Sequence, residues 1–164
     1  MAGGHGRVWT AALALLLGLA FAWGCAGAPA RHRRRHVVPV PARLIVLSAR
    51  SQLGAPYAYG GDDPSTGFDC SGLVWWCWMR HGSRLPRTAQ GQYRVGVPVA
   101  RRDLRAGDLV FFVTASGPDQ PSHVGIMINH DWFIHSPASG EYVREDELSN
   151  NFWRRSYYGA RRIE

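Results

Sequence analysis

The sequence predicts an α+β fold in one domain, with helices first and an antiparallel sheet of about five strands after them. Apolar residues recur at helical spacing within residues 43–53 and again within 70–78. From residue 106 onward, short apolar runs alternate with turn residues, as in paired strands. This order of elements is typical of the α+β class, and the length allows a single hydrophobic core.

The two predicted helices have recognisable ends. The first, within residues 43–53, stops at Gly54. A loop rich in Gly, Pro, Asp and Ser, PYAYGGDDPSTGF, then leads to Asp69, which can cap the next helix. That helix is predicted from Cys70 to a C-cap at Gly82, and its apolar residues predict a central, buried position.

The remaining elements are a short helix and the strands of the sheet. The segment LPRTAQGQYRVG indicates a turn followed by a short helix. Strands are predicted in RAGDLVFFV, HVGIMI, WFIHS, EYVREDEL and SYYGARRIE. Because Asn129-His130-Asp131 joins HVGIMI to WFIHS, these two strands are expected to form a β-hairpin with a turn centred on His130.

Residues 1–24 are predicted to be an export signal. Arg7 precedes AALALLLGLAFAW, an apolar run of about 13 residues that is short for a membrane span and is followed by small residues. A retained membrane anchor is the alternative. AWGC resembles a bacterial lipobox, in which Cys25 becomes the lipidated N-terminus, whereas AGA and APA resemble ordinary cleavage sites. We favour lipidation of Cys25, which would anchor an exported protein to a membrane on the side of the periplasm or cell wall.

Residues 25–43 are predicted to be a basic tether rich in Pro and Arg, and residues 44–164 the folded domain. The net charge of +7 suggests nucleic-acid binding only until it is divided along the chain. Residues 37–164 carry 14 arginines against 12 acidic residues, a net charge of +2, so binding to nucleic acid is not expected. The tether can lie against anionic lipid or wall polymer, and a solvated linker without a partner is the alternative.

Cys70 is the predicted nucleophile and Cys77 a packing residue. A cysteine in the first turn of a helix faces unpaired backbone N–H groups and the positive end of the helix dipole, which both favour a thiolate. Cys77 would lie about 10 Å further along the same helix, too far away for a disulfide. The pattern therefore predicts one reactive thiol and one small buried side chain.

The base for this thiol is sought among seven histidines. Five occupy the signal, the tether, the far end of the cysteine helix or the hairpin turn: His5, His32, His36, His81 and His130. If facing residues of the hairpin have numbers that sum to 260, His123 and His135 are diagonal neighbours about 7 to 8 Å apart on one face. Gly125 would leave room between their rings. A two-residue turn that pairs Asn129 with Trp132 would put the two histidines on opposite faces. Two unrelated strand histidines are the alternative.

Six short motifs follow one another within about residues 44–164: LGAPYAYGG, GFDCSGLV, LPRTAQGQ, AGDLVFF, HVGIMI and FIHSP. Together they resemble the NlpC-type cell-wall endopeptidases of the papain-like cysteine peptidase superfamily. The resemblance implies a papain-like fold with the nucleophile helix packed on the sheet. It also implies Cys70 as nucleophile, His123 as general base and His135 as the residue that orients this base.

The resemblance assigns further residues around the thiol. Tyr57 is implied to help bind the developing oxyanion together with the Cys70 backbone N–H. Asp69 and Ser71 are implied to lie near a substrate amine, although either could equally be a helix cap. Arg87 either lines the groove or packs the turn. No metal and no cofactor is implied, and a monomer is expected.

Hydrolysis of an amide bond in the peptide stems of peptidoglycan, by resemblance next to the diaminopimelate residue, is the leading hypothesis. Acyl or amide transfer by the same thiol is one alternative. A zinc site of Cys70, His123 and His135 has plausible ligands but is disfavoured, because the helix N-terminus already supplies the stabilisation that a metal would. An inactive wall-binding module is disfavoured because no position of the implied triad is substituted.

Overall fold

The structure, a computed structural model, describes Met1, residues 38–114 and residues 120–164. The predicted export signal, the predicted lipidation site at Cys25 and most of the predicted tether lie outside the described residues. In the part of the chain that is described, no helix combines the length and the apolar character that crossing a membrane requires.

Helices come early in the domain, as predicted. They are α1 (Ala42–Arg50), α2 (Cys70–Met79), α3 (Ala89–Tyr93) and, later in the chain, α4 (Asn151–Ser156). α1 begins two residues before the predicted domain boundary at residue 44. The chain already contacts the domain before α1, since the Val38 N–H donates to Ser83 Oγ at 3.0 Å. α4 was not predicted; Asn150 caps it by accepting the Phe152 N–H at 2.9 Å.

The strands are β1 (Asp62–Asp63), β2 (Gly67–Phe68), β3 (Val97–Pro98), β4 (Leu109–Phe112), β5 (His123–Met127), β6 (Trp132–His135), β7 (Arg144–Glu147) and β8 (Tyr157–Arg162). β1 and β2 pair within the predicted loop. The other six described strands form one antiparallel sheet in the order β3-β8-β4-β5-β6-β7. The predicted α+β class is confirmed, and the sheet has six strands rather than about five because the short β3 pairs with β8.

The hairpin of β5 and β6 has the predicted register. Ile126 faces Ile134 and Met127 faces Phe133, so the turn is centred on His130. The side chain of Asn129 holds this turn by accepting the backbone N–H groups of the two residues that follow His130, each at 2.8 Å. The expected space beside Gly125 is filled, because the ring of Phe133 occupies the position where a Cβ would stand.

The sheet is buried on both faces, which explains the uninterrupted apolar run of β4. Leu109 and Phe111 pack into one cluster with residues of α1 and α2, whereas Val110 and Phe112 pack into a second cluster with Trp153 of α4. Successive side chains of a strand point to opposite faces, so a strand covered on both sides is apolar at every position. α2 therefore lies on the sheet as a buried helix.

Candidate active site

Cys70 is the first residue of α2, and the backbone before it is held on both sides. Asp69 caps the helix, since its Oδ1 accepts the Gly72 N–H at 2.6 Å. The Asp69 N–H donates to the Gly61 carbonyl at 3.0 Å. A Cβ at position 72 would meet this same carbonyl, so a glycine there lets the loop lie directly against the helix. The predicted cap is thus confirmed, and it fixes where the thiol emerges.

The thiol of Cys70 is protonated near neutral pH. Burial raises its pKa to about 11, the charge of Asp69 adds to this, and the backbone N–H groups of Val124, Ser71 and Cys70 itself oppose it. This direction is opposite to the one expected from the helix N-terminus alone, because desolvation outweighs the nearby N–H groups. The amide of Val124 belongs to β5, so the thiol lies beside the residue that follows His123.

Access distinguishes Cys70 from Cys77. Cys70 lies on the walls of two cavities of about 420 and 360 Å³. Cys77 is fully buried in the core, and burial raises the pKa of its thiol even further. The structure therefore supports the prediction of one accessible thiol and one packing thiol on the same helix.

The two cavities bring most of the predicted site residues together. The larger is lined by Tyr57, Asp69, Cys70, Ser71 and Arg87. The smaller again contains Tyr57 and Cys70 and is also lined by His123. Tyr57 and His123, which are 66 positions apart in the sequence, thus line one cavity together with Cys70.

His123 and His135 form a direct hydrogen bond, with Nε2 of His123 2.9 Å from Nδ1 of His135. Both side chains are buried, and their rings meet edge to face with centroids 5.0 Å apart. Burial, followed by the charge of His135, lowers the pKa of His123 well below its ordinary value, although Asp146 raises it. His123 is therefore a neutral imidazole near pH 7, able to accept a proton.

Asp146 is a site residue that the sequence analysis missed. Its Oδ2 lies 3.0 Å from His135 Nε2, on the side of the ring away from His123. Facing residues of β6 and β7 explain this, because Phe133 pairs with Asp146 and His135 pairs with Arg144, which makes His135 and Asp146 diagonal neighbours. EYVREDEL was assigned to a strand, but the register that brings Asp146 to His135 depends on how β6 and β7 pair.

Trp153 of the unpredicted helix α4 covers both histidines. Its ring stacks on His123 with centroids 5.4 Å apart and meets His135 edge to face at 4.9 Å. The indole Nε1–H donates to Asp146 Oδ2 at 3.0 Å. Trp153 therefore helps to exclude water from the imidazole pair and shares the carboxylate oxygen that contacts His135.

Arg87 organises part of the wall of the larger cavity. Its Nη2 donates to Asp69 Oδ2 at 2.8 Å, and its Nη1 donates to Asp69 Oδ1 at 2.9 Å and to Ser71 Oγ at 3.1 Å. Its Nε pairs with Asp62 at 3.3 Å. Asp69 therefore both caps α2 and borders the cavity. Arg87 likewise both lines the cavity and fixes the turn. For each residue the two predicted positions are compatible.

Tyr57 borders both cavities beside the thiol. Burial raises the pKa of its hydroxyl, and the charges of Cys70 and Asp69 add to this. The hydroxyl therefore keeps its proton near neutral pH and is able to donate a hydrogen bond. Its backbone is fixed by the N–H of Tyr57, which donates to the Glu141 carbonyl at 2.9 Å.

Three of the four ring nitrogens in the zinc hypothesis face other partners. Nε2 of His123 and Nδ1 of His135 face each other, and Nε2 of His135 faces a carboxylate. Within residues 38–114 and 120–164, no group of three or more His, Cys, Asp or Glu side chains has an arrangement that could hold a metal ion.

Comparison with known proteins gives a consistent family. The chain is 44% identical over 124 residues to the murein DD-endopeptidase MepH of Escherichia coli K12, which covers 74% of this chain and 45% of that protein. It is 39% identical over 110 residues to the bifunctional muramidase/DL-endopeptidase CwlT of Bacillus subtilis 168, which covers 67% of this chain and 33% of that protein. The chain thus spans less than half the length of either relative.

A solved structure and a family model agree with these relatives. The crystal structure of an NlpC/P60 family protein from Bacillus cereus ATCC 10987 superposes with a TM-score of 0.71 at 32% identity, over 79% of this chain and 42% of that one. The model of the NlpC/P60 family matches residues 54–162, which include Tyr57, Cys70, His123, His135 and Asp146. The chain therefore belongs to the NlpC/P60 family.

Proposed function

We propose that this protein is a thiol endopeptidase that hydrolyses amide bonds in the peptide stems of peptidoglycan. The observation that carries the proposal is that Cys70 and His123 line one cavity while His123 is hydrogen-bonded to the buried His135. Two relatives named as a murein DD-endopeptidase and a DL-endopeptidase support the substrate class. A protonated thiol beside a neutral imidazole is a nucleophile with its general base.

Attack on the substrate requires one proton transfer within this pair. As the sulfur of Cys70 forms a bond to the amide carbon, its proton moves to Nδ1 of His123 and the carbonyl electron pair moves onto oxygen. The same proton then passes to the amide nitrogen while the C–N bond breaks, which releases the amine and leaves a thioester on Cys70. Water attacks this thioester and gives a proton to His123. The C–S bond breaks, and the thiolate recovers that proton.

The negative oxygen formed in each attack needs donors at fixed positions. The Cys70 backbone N–H, at the start of α2, and the Tyr57 hydroxyl are the donors we assign to it. Because the pKa of Tyr57 is raised, its proton is retained near neutral pH. Both donors exist before substrate binds, so their orientation costs little during the reaction.

The larger cavity is the proposed site for the stem peptide. Asp69 keeps a carboxylate at its wall, and burial, which would raise the pKa of this group, is outweighed by Arg87 and by hydrogen bonds from Gly72 and Ser71. An ionised carboxylate with a hydroxyl beside it suits a substrate ammonium group. We therefore assign Asp69 and Ser71 to recognition of a substrate amine, in line with a bond next to diaminopimelate.

The test is to incubate the purified full-length chain with defined muropeptides and to read product masses. Hydrolysis adds one water per cleaved bond, whereas transfer adds the mass of an acceptor amine. The two relatives' names point to different bonds, so the product masses also identify the bond. Absence of cleavage by a folded wild-type chain on crosslinked and uncrosslinked stems, with Cys70→Ala as the blank, would contradict the proposal.

We also propose that residues 1–24 export the protein and that Cys25 carries a lipid. The lipobox-like AWGC and the basic tether support this. A lipid on Cys25 would confine the domain to wall near a membrane, because a tether of about 17 residues reaches at most some 60 Å. In cell fractionation, Cys25→Ala should release the protein without changing cleavage of soluble muropeptides. A mature N-terminus at Arg31, mapped by mass spectrometry, would instead show ordinary signal cleavage.

A further inference from the structure

The carboxylate behind the histidine pair receives hydrogen bonds from several directions. His135 Nε2 and Trp153 Nε1 both lie 3.0 Å from Asp146 Oδ2, and Arg144 Nε lies 3.1 Å from Oδ1. Indole and guanidinium nitrogens of this kind can only donate. Burial raises the pKa of Asp146, but contacts with His135, Arg144 and Trp153 outweigh this and lower it to about 2. Near neutral pH Asp146 is therefore ionised and can only accept.

An acceptor at this position determines the protons of both rings. Since Asp146 can only accept, Nε2 of His135 must carry its proton, and Nδ1 of a neutral His135 must then be an acceptor. The facing atom, Nε2 of His123, must donate across the 2.9 Å contact. The remaining nitrogen of a neutral His123, Nδ1, then has the lone pair. One carboxylate thus orders two imidazoles in succession.

We propose that Asp146 is a positioning residue, which sets the tautomers of His135 and His123 and so presents the basic nitrogen of His123 to Cys70. This rests on the proposed function and adds a fourth member to the predicted triad. Asp146 touches neither the substrate cavities nor the thiol, and it acts through His135. Trp153 supports it from α4 by donating to the same oxygen while its ring stacks on His123.

The charge of Asp146 also favours the imidazolium that forms when His123 takes the thiol proton. Asp146 raises the pKa of His123, whereas Arg144 lowers it. At His135, Asp146 and Glu141 raise the pKa and Arg144 lowers it, while burial lowers it most. Cys70 reactivity should fall at acid pH, where His123 is protonated; we call this fall the acid limb. Removing Asp146 should move the acid limb to lower pH, and removing Arg144 should move it to higher pH. A carboxylate that only held the strand together would not produce this opposition.

The first experiment reads the wild-type protein and needs no substrate. In the full-length chain labelled with ¹⁵N-histidine, long-range ¹H–¹⁵N NMR spectra near pH 7 should show both His123 and His135 with the proton on Nε2. Assignment of the two rings follows from His123→Gln and His135→Gln. A proton on Nδ1 of His135 would overturn the proposal. This reading does not depend on whether the protein cleaves peptidoglycan.

The second experiment compares two neighbouring carboxylates of β7. Asp146→Asn removes the charge and offers an amide that can donate, whereas Glu145→Gln removes a charge that pairs with Arg50 instead. We expect Asp146→Asn to lower kcat and the iodoacetamide reactivity of Cys70 at pH 7 by about 10- to 100-fold with little change in KM. Glu145→Gln should behave as wild type, and Asp146→Glu should recover part of the loss.

The outcomes separate this proposal from the proposed function. If wild type fails to cleave muropeptides, the NMR spectra and the alkylation rates still decide the role of Asp146. Equal effects of Asp146→Asn and Glu145→Gln, or no effect of either in folded protein, would overturn it. If Asp146→Asn does not fold, the wild-type spectrum and Arg144→Gln take its place. Loss of the Arg144 charge should move the acid limb of Cys70 reactivity to higher pH, because Arg144 lowers the pKa of both histidines. An acid limb that does not move, or that moves to lower pH, would count against the proposal.

Discussion

Asp69 and Asp146 are both carboxylates held by an arginine next to a residue of the proposed triad, yet they lie on opposite sides of the reacting pair. Asp69 borders the larger cavity and is bound by Arg87, and the other hydrogen bonds of its carboxylate come from its own helix. Asp146 lies behind the histidines, and its partners come from β6, β7 and α4. The first shapes the nucleophile's backbone, and the second orders side chains.

The difference shows how the two sides of the candidate site, the Cys70 side and the histidine side, are each held in place. A helix cap acts through the backbone of the next three residues, so the position of Cys70 is set locally and strengthened by Arg87. No backbone constraint chooses which nitrogen of an imidazole carries the proton. That choice needs a partner that can only donate or only accept a hydrogen bond. The sheet supplies such a partner, Asp146, through the pairing of β6 with β7.

The largest expected effect comes from removing Cys70 or His123, one residue from each side of the site. Cys70→Ala and His123→Ala should each reduce kcat for muropeptide cleavage by on the order of 10⁴-fold or more, and the double variant should lose little beyond either single one, because the two side chains act as a unit. Cys77→Ala is the matched control on the same helix and should keep the chemistry. Equal loss in folded Cys77→Ala would refute the assignment of Cys70.

Tyr57→Phe tests the side of the cleft nearest Asp69. Removing one donor to the oxyanion should lower kcat by about 100-fold while KM changes little, since the hydrogen bond strengthens in the transition state. The exposed Tyr59 borders the same cavities and provides the control as Tyr59→Phe. If both variants lose activity equally, or if Tyr57→Phe acts mainly on KM, Tyr57 is a substrate contact instead of an oxyanion donor.

The pH dependence of stability isolates the histidine side. Because the folded pKa of His123 and that of His135 are lowered, the unfolded chain binds more protons once the pH falls below their ordinary value of 6.5. Their contribution is complete above this pH and is lost as the pH falls further, at up to about 1.4 kcal/mol per pH unit and histidine. Urea unfolding at pH 7.5 and 5 should show the loss, and His123→Gln should reduce it. If His123→Gln leaves this pH dependence of the free energy of unfolding unchanged, the result would contradict a neutral, buried His123 ring.

Removing the arginine that binds each carboxylate should have a smaller effect, measured on the free energy of unfolding. Arg87→Ala should lower the free energy of unfolding by about 1.5 to 3 kcal/mol, because Arg87 makes two charge-assisted bonds to the mostly buried Asp69. Arg144 is more exposed, and Arg144→Ala should cost at most about 1 kcal/mol. Chemical denaturation of both variants at one pH measures this. A larger loss of unfolding free energy for Arg144→Ala than for Arg87→Ala would contradict this prediction.

The hairpin shows how far local patterns reach. The turn centred on His130 follows from Asn129 and the lengths of the flanking apolar runs, so the shared face of His123 and His135 was predictable. The space at Gly125 was not, because Phe133 fills it from the neighbouring strand. The thiol was placed correctly at the start of α2, but the direction of its pKa shift was wrong, since burial by the sheet is invisible to a helix-terminus argument.

The sequence by itself determined the α+β class, the order of the longer elements and the cap at Asp69, and its motifs singled out Cys70, His123 and His135 as candidate site residues. The helices, the hairpin and the cap depend on residues close together in the chain: a capping side chain, an apolar period or a turn. Only the tertiary structure decided the contact between Asp146 and His135, the cover provided by Trp153, the ion pair of Arg87 with Asp69 and the protonation of the thiol. Strand pairing and burial join residues that are distant in sequence, and the electrostatics of a buried site depends on these neighbours.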